Sequence, residues 1–140
     1  KTTAIYCLHG VYYKQNDVVA GSLSRSLRGD VLDAEAATRP ALEALLVQNG
    51  LDPAPYLRKS RVRACLNQYG LLTGCRGAMP FARRRALFAR ILADADARAA
   101  LRARLRADPH RLLALPYRLG LACRAPGLLA AYTLAKQRFL

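Results

Sequence analysis

Val11-Tyr12-Tyr13-Lys14-Gln15-Asn16-Asp17-Val18-Val19-Ala20-Gly21-Ser22-Leu23-Ser24-Arg25-Ser26 is the stretch at which this chain changes character. On its amino-terminal side, Thr2 to Leu8 is rich in β-formers, and His9-Gly10 separates that run from Val11-Tyr12-Tyr13-Lys14-Gln15. Two β-like runs joined by two residues read as a hairpin, because Gly takes positive φ readily and His is enriched there. His9 then serves as a turn residue, with a ligand or general base near a phosphate as its functional alternative. On the carboxy-terminal side almost every segment reads as helix. The stretch itself gathers aromatic rings, a cation, amides and hydroxyls, as a site for a polar ligand requires.

The helical reading rests on caps and periodicity. Asp30 can cap a helix whose first turn also holds Asp33 and Glu35, matching the positive end of the helix dipole. Pro40 is expected to kink or split that helix. Leu42, Leu45 and Leu46 line one face, and Asn49-Gly50 supplies a left-handed stop. Asp52-Pro53 signals the next start. Val62, Cys65, Leu66 and Tyr69 follow at helical spacing as a core face, and Gly70 weakens that helix. Thr73 to Met79 reads as a loop, with too few glycines to cradle a phosphate in the Gly-x-x-x-x-Gly-Lys-Ser/Thr manner.

Pro80 opens the most basic helix, with Phe81, Leu87, Phe88, Ile91 and Leu92 as its apolar face and Arg83, Arg84, Arg85 and Arg90 filling much of the rest. Asp94 and Asp96 mark a break. The Asp-x-Asp they form has a metal-holding spacing, but with no buried strand before it the pair reads as capping. Beyond it Arg98, Arg102 and Arg106 repeat at i+4, away from Leu101 and Leu105. Asp108-Pro109 is another start, and Pro116 and Pro126 interrupt the apolar remainder. The fold expected is mainly α, a short amino-terminal β-hairpin followed by about five helices. Residues 1–28 form the hairpin and a polar connection, and residues 29–140 a basic helical region.

With 140 residues and 53% hydrophobic side chains the chain suits one globular domain. It begins at Lys1, which suggests a processed terminus or part of a longer polypeptide, and no signal peptide is discernible. The net charge of +14 is concentrated: residues 1–57 carry five basic and six acidic side chains, residues 58–140 eighteen and three. Such asymmetry favours a polyanionic partner over solubility alone, although Arg-rich codon usage is a bland alternative. Arg83, Arg84, Arg85, Arg90, Arg98, Arg102 and Arg106 are the expected surface for a polyanion or membrane, with an ordinary solvated helix face as the alternative. Cys7, Cys65, Cys75 and Cys123 are scattered, which argues against zinc or a disulfide framework and for a reducing, cytoplasmic setting. No charge-free run approaches the ~20 residues needed to span a bilayer. No nucleophile elbow, dinucleotide fingerprint or His-Glu-x-x-His is present, so no self-contained catalyst is visible.

Val11-Tyr12-Tyr13-Lys14-Gln15 followed by Ser22-Leu23-Ser24-Arg25-Ser26 resembles the end of the catalytic domain in bacterial family-2 glycosyltransferases, which have an apolar-Tyr-Tyr-Arg-Gln strand and then a Ser-rich segment. Arg85 to Leu101, Leu115-Pro116-Tyr117-Arg118-Leu119 and Leu128 to Tyr132 are similar to the basic and apolar helices of their tails. The resemblance implies a GT-A enzyme that moves a sugar from a nucleotide donor in surface-polysaccharide synthesis. The donor, its divalent metal and the catalytic carboxylate would belong to an amino-terminal catalytic region, and this chain would supply no catalytic residue and no cofactor ligand of its own. Tyr13, Lys14, Gln15 and Ser22 would border the cleft, Lys14 near diphosphate and Tyr13 as a sugar-stacking wall. Lys14 replaces the usual Arg, losing bidentate contact, and Val18 to Gly21 is extra. Implied partners are that catalytic region and an anionic inner membrane face bearing a lipid-linked acceptor. A helical nucleic-acid-binding module is the alternative, weakened by scarce Lys and the lack of interleaved stacking aromatics.

Overall fold

The computed structural model describes residues 30–74, 79–107 and 111–139, without the side chains of 111–113 and 137–139. Six helices make up most of these residues: α1 (Val31–Gln48), α2 (Pro53–Gly74), α3 (Phe81–Ala93), α4 (Ala95–Arg106), α5 (Arg111–Ala122) and α6 (Pro126–Phe139). The mainly α reading therefore holds among the described residues. The expected hairpin of 1–28, the Asp108-Pro109 start and both histidines lie outside them.

The caps form where the sequence places them. The Asp30 carboxylate accepts from Leu32 N at 3.0 Å and Asp33 N at 3.4 Å, and Asp52 from Ala54 N at 3.0 Å. Asp94 accepts from Ala97 N at 2.9 Å, so the first aspartate of the Asp-x-Asp is a helix cap, as expected. After α1, Gly50 takes φ +69° while Leu51 N donates to Leu46 O at 3.0 Å, a Schellman stop.

Two interruptions expected from sequence are absent: Pro40 does not split α1, and Pro116 lies within α5. The loop expected from Thr73 starts later, because α2 runs past Gly70 to include Thr73 and Gly74. A Gly inside a helix costs about 1 kcal/mol, less than the gain from burying the residues around it. Leu72 has no exposure, and Tyr69 and Gln68 are buried on the same helix. Pro40 is exposed, so its ring meets water rather than a neighbouring helix.

α2, α3 and α4 touch one another pairwise; α1 lies along α2, α5 along α4, and α6 chiefly along α3 and then α5. The core they enclose centres on Leu72, Phe88, Ile91, Leu101, Leu121 and Leu129, all without exposure. Phe88, Tyr69, Tyr117 and Tyr132 form an edge-to-face series at centroid separations of 6.0, 6.0 and 4.9 Å, linking α3, α2, α5 and α6 in turn. Gly120 lets α5 approach α6: a Cβ there would lie 2.4 Å from Leu129 Cδ2.

Candidate anion-binding surface

The arginines expected to form one cationic face separate into three groups by environment. Arg84 is the clearest correction, because it is fully buried and donates to Leu72 O at 3.0 Å. It precedes Leu87, Phe88 and Ile91 by three, four and seven residues, which puts it on the apolar stripe of α3. That register was visible in the sequence and outweighed its charge. Phe81 is the converse: it fits the stripe but is exposed at the first position of the helix.

A second group is engaged. Arg90 reaches from α3 to the start of α1, where it pairs with Asp30 and, at 2.8 Å, with Asp33. Arg98 donates to the terminal carbonyls of α3 at Leu92 and Ala93. On α2, Arg58 forks onto Asp96 at 2.5 and 2.8 Å, and Arg61 pairs with Asp94 at 2.5 Å. The hydrogen bond from Arg58, with the nearby charges of Arg58 and Arg61, holds the Asp96 carboxyl below its usual range. Asp94 and Asp96 are thus occupied as a cap and as ion-pair partners. Among the described residues no group of three His, Cys, Asp or Glu is placed to hold a metal ion.

The remaining expected residues, Arg83, Arg85, Arg102 and Arg106, are exposed and make no ion pair with a described residue. Arg104 and Arg118, which the i+4 reading passed over, share that condition. Arg102, Arg106 and Arg118 border a cleft of about 460 Å³ between α4 and α5. Leu105, Leu115 and Leu119 also line it, and the last two are 47% and 49% exposed. Arg102 and Arg106 are one turn apart on α4, as are Leu115 and Leu119 on α5, so a cationic row faces an apolar row across the seam. Like charges at i,i+4 repel by a few tenths of a kcal/mol, and no described carboxylate relieves them.

Cys65 is buried, and burial, with Asp94 adding, pushes its thiol up to about 11, which makes it a packing residue and not a nucleophile. Burial likewise pushes the Tyr117 phenol up to about 12, so it stays a neutral donor at physiological pH. Tyr13, Lys14, Gln15 and Ser22 lie outside the described residues. Among the described residues no helix is long and apolar enough to cross a membrane. Compared with protein-family models, with curated proteins and with solved structures, the chain finds no match in any of the three.

Proposed function

We propose that this chain is the helical carboxy-terminal part of a glycosyltransferase of the family its sequence resembles, and that the α4–α5 face holds the enzyme on an anionic membrane surface. The observation that carries the membrane role is the cleft in which three guanidinium groups, none paired with a described carboxylate, border exposed leucines. Anionic lipid matches both rows: phosphate for the arginines and the upper acyl region for Leu115 and Leu119. A bare polyanion such as nucleic acid would use the cations and leave the leucines in water. The glycosyltransferase role rests on the Tyr13-Lys14-Gln15 and Ser22 motifs. In that reading the donor, the metal and the carboxylate base come from the catalytic region, and this chain supplies a cleft wall and a foothold near a lipid-linked acceptor.

Cosedimentation with vesicles tests the foothold. The chain should pellet with anionic vesicles and remain in the supernatant with neutral ones. Each Lys or Arg near an anionic leaflet contributes about 1 kcal/mol, so Arg102→Gln with Arg106→Gln should weaken partitioning by roughly thirtyfold. Equal pelleting with both vesicle types would sink the membrane role. Steeply salt-dependent affinity for RNA or DNA without lipid binding would transfer the assignment to a nucleic-acid module.

A further inference from the structure

α5 and α6 each turn a row of uncharged apolar side chains outward. On α5, Leu115, Leu119 and Ala122 recur at i, i+4 and i+7 and are exposed; on α6, Leu128, Ala131 and Ala135 do so at i, i+3 and i+7. Leu115, Leu119 and Leu128 keep 47, 49 and 44% of their surface. The two helices run side by side, since a Cβ on Gly120 would meet Leu129, and Leu119 and Leu128 each adjoin one of that pair. Leu115 and Leu119 also line the α4–α5 cleft, so the apolar surface continues from it onto α6.

The charges around this surface have one sign. Arg118 on α5, Arg124 at the corner and Lys136 on α6 are exposed, and none is in an ion pair with a described residue. No Asp or Glu follows Asp108 in the sequence, so these helices lack the i,i+4 ion pairs that ordinarily cover a solvated face.

That pattern selects among the surfaces able to cover the leucines. A second copy laid on this face would add its own Arg118, Arg124 and Lys136 and no carboxylate, and like charges repel. A nucleic acid would pair with the cations and leave three leucines in water. An anionic bilayer takes the leucines in its upper acyl region and the cations at its phosphates, because Arg and Lys side chains are long enough to snorkel there. From Pro126 to Ala135 α6 carries no charge, about 15 Å of helix. That suits a helix lying in the interface and is only half the ~30 Å hydrocarbon core.

We propose that the α5–α6 pair is a wedge that lies along an anionic membrane and enters its upper acyl layer, burying Leu115, Leu119 and Leu128 and leaving Arg118, Arg124 and Lys136 at the phosphates. The wedge rests on the membrane reading above, and adds to it the outer face of α6 and penetration below the headgroups.

The chain contains no Trp, so a single introduced one reports its own surroundings. In the whole chain carrying Leu128→Trp, emission should shift to the blue when vesicles of phosphatidylglycerol and phosphatidylcholine are added, and bromine-labelled acyl chains should quench it. Leu45→Trp, on the exposed side of α1, should do neither. Leu128→Gln keeps the net charge and should weaken partitioning about tenfold, the effect of leaving one leucine out of the acyl layer. Leu45→Gln should change it less than twofold. Binding to these vesicles with the Leu128→Trp emission unmoved, or with Leu128→Gln no weaker than Leu45→Gln, overturns the wedge and leaves the foothold standing. Absence of binding to any anionic vesicle sinks both. A blue emission from Leu128→Trp before lipid is added, growing with protein concentration, overturns the wedge in favour of a second copy.

Discussion

Arg124 holds a left-handed backbone at φ +50°, in the same Schellman geometry that Gly50 supplies after α1; here Ala125 N donates to Gly120 O at 2.9 Å. A side chain in that region costs about 1–2 kcal/mol, of which Gly returns part as unfolded-state entropy. Arg124→Gly should therefore stabilise the fold by about 1 kcal/mol in a urea titration. Gly120 is the opposite case. A methyl there would lie 2.4 and 2.7 Å from Leu129 Cδ2 and Cγ, and Leu129 is fully buried and has little room to turn aside. Gly120→Ala should cost about 1–3 kcal/mol by overpacking. In a background already carrying Leu129→Ala the same change should cost clearly less, a coupling that a double-mutant cycle measures directly. Neither position could be assigned from sequence. A left-handed Arg and a close approach between helices depend on where other elements arrive, whereas Asp30, Asp52 and Asp94 cap through atoms two or three residues away and were legible for that reason.

Helices join through two kinds of contact, apolar seams and ionic clasps. Arg90 ties α3 to the start of α1, while Arg58 and Arg61 tie α2 to the start of α4. Asp96 has its folded-state pKa depressed, so the stabilisation is fully present above the unfolded carboxylate value, about 3.9, and is lost as pH falls through the lower folded value. Acid should therefore loosen the α2–α4 seam below about pH 4, and Asp96→Asn should flatten that part of a stability-against-pH curve while leaving neutral-pH unfolding two-state. The same scale shows why the breakers misled. Pro40, Pro116 and the Thr73-Gly74 pair were read by their local penalties, but buried Gln68, Tyr69 and Leu72 carry α2 on to Gly74. Arg84 was read by its charge, although its register with Leu87, Phe88 and Ile91 placed it inside.

Over the described residues, the paired carboxylates lie at α1 and its cap and at the start of α4, and α2, α3, α5 and α6 contain none. Among the described residues, Arg39, Arg58, Arg61 and Arg90 are thus compensated and the arginines of the α4–α5 cleft are left standing. Self-repulsion of that kind is screened over about 10 Å at 0.1 M salt. Raising salt from 10 to 200 mM, as a roughly twentyfold change in screening ions, should increase Tm while decreasing attachment to anionic vesicles. Parallel movement of both would break the link between the unpaired arginines and the lipid surface. The net charge and the basic half were legible from composition. The division into engaged and free guanidinium groups was not, because it depends on which helix ends lie opposite which arginines.

The single residue between α3 and α4 has one more consequence. Asp94 begins one helix while Arg98 closes the other, so the corner is finished by groups only a few positions apart in the chain. A nascent polypeptide leaving the ribosome could set this bend as soon as about a dozen more residues had emerged, without waiting for distant segments. The corner would then be a template against which later-made segments dock, and a residue inserted there should slow maturation more than one inserted in the turn after α1.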